Sequence, residues 1–150
     1  MTLAENLEQI QRRIDDACRR AGHASDSVTL LAVAKTQPPE AVTAAADLGL
    51  TLFGENKVQE AKAKIPLCPG KLRWHFIGHL QSNKCRDAIE LFDLVQSVDG
   101  LPLAQELNKR AGRLRAGNRR AGADQGETES AQRALPENEA EEDGPSALNL

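Results

Sequence analysis

The stretch Val28-Thr-Leu-Leu-Ala-Val-Ala-Lys35-Thr36 supplies the first strand of the fold, and Gln37-Pro38-Pro39 follows it directly. A continuous apolar run of this length predicts a strand buried on both faces, with a single amine at its end. An ammonium at an apolar site loses solvation, which favours the neutral, nucleophilic amine that forms a Schiff base with an aldehyde. Lys35 is therefore a candidate for covalent chemistry. The alternative is a lysine that extends from the strand end into water.

The same strand pattern recurs along the chain at intervals of roughly 22 residues. Strands are predicted to start near residues 28, 51, 73 and 93, with helices over 39–48, 57–65, 82–91 and 100–111 and a leading helix that ends near Gly22. Apolar strands alternating with helices predict right-handed βαβ units on a parallel sheet, which is an α/β fold. The pattern leaves two architectures open, a doubly wound sheet and a (β/α)8 barrel. The first strand is not followed by the GxGxxG turn of dinucleotide-binding sheets.

Composition divides the chain near residue 111. All four aromatic residues precede residue 93, and sequence beyond Gly112 consists mostly of Gly, Arg, Ala, Glu and Gln, with an acidic run at 137–143. Such a segment buries too little apolar surface to offset its ordering entropy. We therefore expect a folded domain over residues 1–111 and a disordered, low-complexity tail over 112–150.

Bulk properties exclude several classes of function. The net charge of −3 argues against a nucleic-acid-binding protein, and no apolar run is long enough to span a membrane. The acidic, helix-forming N-terminus does not resemble a signal peptide. The three cysteines, Cys18, Cys68 and Cys85, lack CxxC spacing and indicate reduced thiols in a cytoplasmic protein.

Polar side chains follow the predicted strands, at Lys35, Glu55-Asn56, His79–Gln81 and Ser97–Asp99. Both architectures form their sites at this carboxyl edge of the sheet. Asn56 is a candidate binding residue, although an Asx turn that starts the next helix explains it equally well. His75 alternates with Trp74 and Phe76 and either lines the pocket or is a hydrogen-bonded core histidine.

Other candidates have simpler explanations. His75 and His79 are four residues apart but do not share a helix, so we expect no metal site. The segment 78–83 could bind an anion at a helix N-terminus, or Ser82 or Asn83 could simply cap that helix. The arginine-rich stretch 110–120 lacks an aromatic residue to stack on a base. The helical lysines are interpreted as solvent-exposed: Lys57, Lys62, Lys64, Lys84 and Lys109.

Four segments carry a specific resemblance: Leu31–Thr36 (LAVAKT), Phe53–Glu60 (FGENKVQE), Trp74–Lys84 (WHFIGHLQSNK) and Phe92–Asp99 (FDLVQSVD). In this order and spacing they closely resemble the pyridoxal phosphate homeostasis protein family, also called the YggS/PROSC family, over about residues 3–111. Members resemble the TIM-barrel domain of alanine racemase and carry pyridoxal 5′-phosphate (PLP) on a lysine that Lys35 matches. The resemblance thus implies a PLP-binding barrel, of which residues 1–111 form the first half with four βα units. It also implies a cofactor site at Lys35 and at the Gly-Glu-Asn turn with Asn56, and a role in intracellular PLP homeostasis without catalytic residues or enzymatic activity. We add His75 to the cofactor site as the pocket-lining candidate from its position in the strand.

The resemblance ends after about Arg110. Family members continue with a second half-barrel, which holds the cofactor phosphate, and no counterpart of those segments occurs here. We therefore expect a truncated or frameshifted chain, and a non-functional fragment is the alternative to a PLP-binding protein. An open half-barrel could also self-associate through its uncovered face. An alanine-racemase-like enzyme is the third alternative, but no region supplies the second acid–base group that racemisation needs.

Overall fold

A computed structural model describes residues 1–121 of the chain, with side chains through residue 116. The spacing of apolar segments correctly predicts a leading helix followed by four strand–helix units. In chain order the elements are α1 (Leu3–Ala21), β1 (Ala32–Val33), α2 (Pro39–Asp47), β2 (Leu52–Glu55), α3 (Val58–Lys64), β3 (Arg73–Phe76), α4 (Cys85–Leu91), β4 (Leu94–Val95) and α5 (Leu101–Ala121).

The order of the strands distinguishes the two architectures. All neighbouring strands are parallel, and the sheet runs β1-β2-β3-β4 without a reversal. Because every right-handed crossover then proceeds in the same direction, α2, α3 and α4 cover the same face of the sheet. α5 packs on α4 and contributes Leu103 to the same core. A doubly wound sheet would reverse its order and carry helices on both faces. The arrangement is half of a (β/α)8 barrel, with β1 and β4 at its two edges.

The core lies between the sheet and the layer of helices. Phe53 and Trp74 stack with ring centroids 5.5 Å apart, and Phe76 packs on Phe92 at 5.2 Å. These rings meet small and branched helix residues, among them Val42, Ala45, Val58, Ala61, Cys85, Ala88 and Leu103. Alternate strand residues thus form one continuous apolar layer, the largest stabilising contribution to a fold of this size.

The opposite face of the sheet, which would be the inside of a complete barrel, is partly uncovered. Val33, Gly54, His75 and Leu94 are paired in one row across the four strands. Val33 at the first edge is 49% exposed and Leu94 at the last edge is 43% exposed. The prediction that the first strand is buried on both faces is therefore wrong. β1 has one neighbouring strand, and Val33 on its inner face is only half covered by the described residues.

The helix ends agree with the sequence signals at some positions and not at others. Gly22 ends α1 in the left-handed conformation at φ 71°, as its position predicted. The cap expected at Ser82 or Asn83 is absent, because a 3₁₀ turn spans Ser82–Lys84 and α4 begins only at Cys85, without a side-chain cap.

The last described helix extends past residue 111, where the folded domain was expected to end. α5 continues to Ala121, through a stretch in which four Arg, two Ala and one Leu, all good helix formers, outnumber two Gly and one Asn. The remainder of the expected tail, including the acidic run at 137–143, lies outside the described residues. Over residues 1–121, no helix combines the length and apolar character needed to cross a membrane.

Candidate functional site

Lys35 lies in a turn just beyond β1, at the carboxyl edge of the sheet. Its side chain is exposed and makes no hydrogen bond or ion pair to any described residue. The expected apolar surroundings are therefore wrong, because the inner face of β1 is open. Lys35 comes two positions after Val33, which lies on the inner face at the end of β1. The amine is accessible at the edge where barrel sites form.

The turn that carries Lys35 has a strained backbone. Thr36 has φ 63°, a left-handed conformation that a β-branched residue rarely adopts. Its hydroxyl donates to the Lys35 carbonyl at 2.6 Å, and the Gln37 N–H donates to the Ala34 carbonyl at 3.1 Å. Such a conformation costs about 1–3 kcal/mol and persists only where the surroundings enforce it.

A buried ion pair lies beneath this turn. Lys64 Nζ is 2.5 Å from Glu55 Oε1 and 2.7 Å from the Ala34 carbonyl oxygen. Glu55 is 0% exposed and Lys64 is 8% exposed, so the prediction that Lys64 is a solvated helical lysine is wrong. The other oxygen of the carboxylate, Glu55 Oε2, is buried without a partner among the described residues. An apolar strand ending in Glu, followed nine residues later by Lys in a helix, was the only sequence signal for this pair.

Asn56 follows β2 and is in a tightly packed part of the carboxyl edge. An added Cβ at Gly78 would lie 2.1 Å from the Asn56 carbonyl oxygen, so this contact requires glycine at position 78. The Ser97 hydroxyl donates to the Gly78 carbonyl and links the strand ends. The Asn56 side chain is half-buried, lines a groove of about 270 Å³ and makes no hydrogen bond to the described residues. Its amide is free to bind a ligand.

His75 lies on the inner face of β3 and is 8% exposed. Gln96 Nε2 lies 2.9 Å from His75 Nδ1 and can donate to it, which would leave the proton of the neutral ring on Nε2. That Nε2 is buried without a partner among the described residues. Burial lowers the pKa of His75, the nearby Arg73 lowers it further, and Asp93 partly opposes both. His75 is thus a neutral imidazole with one unused polar atom.

The lowered pKa of His75 predicts a pH-dependent stability. The unfolded chain takes up this proton near the usual pKa of 6.5 and the folded chain only at lower pH, so the free energy of unfolding should fall as pH decreases below 6.5. His75→Gln should make that decrease shallower, measured by urea unfolding over a pH series. His79→Gln is the control, because that side chain is 75% exposed. An unchanged slope in His75→Gln would contradict the assignment.

The remaining candidates have other surroundings. His79 lies 3.5 Å from Asp99 on the surface and lines the same groove as Asn56, whereas His75 pairs with Gln96. Among the residues that the structure describes, no group of three or more His, Cys, Asp or Glu side chains could hold a metal ion. Arg110, at the start of the arginine-rich stretch, pairs with Glu106 at 2.6 Å within α5.

Fold and site together define the class of protein. Four sequential βα units, with Lys35, Asn56 and His75 on the inner face or at the carboxyl edge, form the first half of a (β/α)8 barrel. No protein-family model matches the chain. It is 44% identical over 112 residues to the pyridoxal phosphate homeostasis protein of Haemophilus influenzae, an alignment that covers 73% of this chain and 47% of that protein. It is 48% identical over 109 residues to the Pseudomonas aeruginosa protein of the same name, covering 72% and 47%.

Solved structures give the same result. PipY of Synechococcus elongatus without PLP superposes with a TM-score of 0.64 at 41% identity, covering 75% of this chain and 49% of PipY. The form with PLP bound gives 0.57 at 42% identity, covering 67% and 49%. Over the aligned stretch the chain is therefore similar to pyridoxal phosphate homeostasis proteins, as its motifs indicated. The chain spans about half the length of the curated relatives it matches.

Proposed function

We propose that this chain binds pyridoxal 5′-phosphate covalently through Lys35 and acts in PLP homeostasis. The observation that carries the proposal is the free, exposed Lys35 amine, held in a fixed turn at the carboxyl edge of the half-barrel. The names of the relatives and the PLP-bound form of PipY support the same cofactor. The bound cofactor would supply an aldehyde, with which a primary amine condenses to a Schiff base and water.

The side chains around Lys35 fit a polar aromatic ligand. Asn56 has a free amide on the neighbouring strand end, and it can donate to or accept from a ring substituent. His75 lies on the inner face of β3, one row deeper in the sheet, and its Nε2 is buried without a partner among the described residues. We assign Lys35 the covalent contact, Asn56 a hydrogen bond at the rim and His75 a place in the pocket floor.

We propose binding rather than catalysis. The relatives are named for homeostasis of the cofactor. Racemisation needs an acid–base group on each side of the cofactor. At this edge we assign Lys35 to the cofactor and assign no second acid–base group among the described residues. Incubation with PLP and L-alanine should yield no D-alanine, and its appearance would overturn this assignment.

The open inner face suggests a second copy of the chain as a partner. Val33 and Leu94 are exposed at the two edge strands, whose outer backbone groups have no strand neighbour in the described part of the chain. Pairing of β4 in one copy with β1 in the other would close an eight-stranded ring and cover both apolar faces. Sedimentation equilibrium should show a dimer, and a monomer at all concentrations would contradict it.

The free cysteines Cys18, Cys68 and Cys85 fit a reducing, cytoplasmic location.

Covalent attachment through Lys35 predicts an absorbance change. Titration of the chain with PLP should produce the absorbance band of a protein-bound imine, and Lys35→Ala should abolish most of it. Lys71→Ala is a matched control, because Lys71 is also exposed but precedes β3 at the opposite edge of the sheet. Equal spectra from wild type and Lys35→Ala would mean that Lys35 forms no specific site.

A further inference from the structure

We propose that Lys64 is a positioning residue for Lys35. Its ammonium, fixed by Glu55, holds the Ala34 carbonyl and with it the turn that presents the Lys35 amine. The inference deepens the proposed function and rests on it for the role of Lys35, but the contacts themselves do not depend on a cofactor.

The contacts show that Lys64 completes the end of the β1–β2 ladder. The Ala34 N–H donates to the Gly54 carbonyl at 2.9 Å, the last bond between these strands. In a continuing parallel ladder, the Ala34 carbonyl would accept from the Asn56 N–H. Instead, the Lys64 ammonium donates to the Ala34 carbonyl oxygen at 2.7 Å. The same ammonium lies 2.5 Å from Oε1 of Glu55, the residue after Gly54. Both backbone groups of Ala34 are thereby tied to β2.

The turn beyond Ala34 depends on this anchor. The Ala34 carbonyl accepts from Lys64 and also from the Gln37 N–H, so the turn closes on an oxygen that Lys64 holds in place. Thr36, with its left-handed φ of 63°, lies between Ala34 and Gln37. A strained conformation relaxes unless its flanks are fixed. Release of the Ala34 carbonyl would let Thr36 relax and the Lys35 side chain change direction.

Stability alone does not explain why a charged pair is present here. Buried ion pairs are often replaced by apolar residues without loss of stability. An apolar pair at positions 55 and 64 could fill the same space but could not donate to the Ala34 carbonyl. Glu55 Oε2 is buried without a partner in the described part of the chain, so the pair does not form a closed hydrogen-bond network there. The donor function of Lys64 is what an apolar pair would lose.

The test separates this donor function from stability with the double variant Glu55→Leu/Lys64→Met. We expect it to fold, with amide hydrogen exchange at Gln37 faster by about tenfold or more and imine formation at Lys35 several-fold slower. Lys62→Met is the control on the same helix, because Lys62 pairs with Asp87 at 3.3 Å and does not contact the turn. It should leave both readouts unchanged.

The outcomes distinguish this proposal from the proposed function. Wild-type exchange at Gln37 in a folded double variant would overturn the role of Lys64. Should that variant not fold, Glu55→Gln/Lys64→Met provides the same comparison, and failure of both to fold would assign the pair to stability and overturn positioning. Absence of an imine in the wild type would overturn the PLP site while the exchange result still reports on the turn.

Discussion

Glu55→Ala should lower the free energy of unfolding by about 3–5 kcal/mol, the cost of leaving one partner of a buried ion pair without the other. Glu55 is 0% exposed and is the counter-ion of Lys64, with 2.5 Å between Oε1 and Nζ. Removal of the carboxylate leaves an ammonium buried without an opposite charge, and desolvation of that charge is no longer compensated. Chemical denaturation monitored by the fluorescence of Trp74 measures the change.

Glu60→Ala is the matched control for this prediction. Glu60 pairs with Lys57 at 3.3 Å, but both side chains reach solvent, so the loss should be about 0–1 kcal/mol. The double variant Glu55→Leu/Lys64→Met should recover most of the stability lost in Glu55→Ala, because no charge is then left buried. A loss of stability in Glu55→Ala as small as that in Glu60→Ala would contradict the burial of the Glu55–Lys64 pair.

Gly78→Ala should produce the second large effect, a loss of about 1–3 kcal/mol or more together with displacement of Asn56. The added methyl would lie 2.1 Å from the Asn56 carbonyl oxygen and 2.7 Å from its Cα. Those atoms are main chain, so a side-chain rotation cannot relieve the clash. The carboxyl ends of β2 and β3 must move apart, and any ligand contact made by Asn56 must weaken with them. Denaturation and PLP titration measure the two consequences.

Gly70→Ala is the control for Gly78→Ala. An added Cβ at Gly70 meets no atom within 4 Å, so neither the stability nor PLP binding should change appreciably. A Gly78→Ala protein as stable as Gly70→Ala, with unaltered PLP affinity, would contradict the close approach of the two strand ends.

The sequence predicted those parts of the fold that local patterns specify. Apolar runs near residues 28, 51, 73 and 93 gave the four strands, and Gly22 marked the end of α1. Periodicity could not distinguish a doubly wound sheet from a barrel, because the order of strands is a long-range property. The family resemblance favoured the barrel, and the sequential order confirms it.

Long-range contacts account for what the sequence could not predict. Lys64 has the sequence context of an ordinary helical lysine, and only the packing of α3 against β2 reveals its partner Glu55. The exposure of Lys35 and Val33 follows from the position of β1 at the edge of the sheet, which no local pattern encodes. The unpartnered Nε2 of His75 likewise depends on which strand lies beside β3. Whether Asn56 and His75 contact the cofactor stays a prediction.

Location of the cofactor's attachment point tests the central claim most directly. The chain is incubated with PLP, the imine is reduced with borohydride to a stable secondary amine, and the modified peptide is mapped by mass spectrometry. We predict modification at Lys35 in preference to Lys71 and the other exposed lysines, with loss of the modified peptide in Lys35→Ala. Modification spread evenly over the surface lysines, with Lys35 no more reactive than Lys71, would contradict the account.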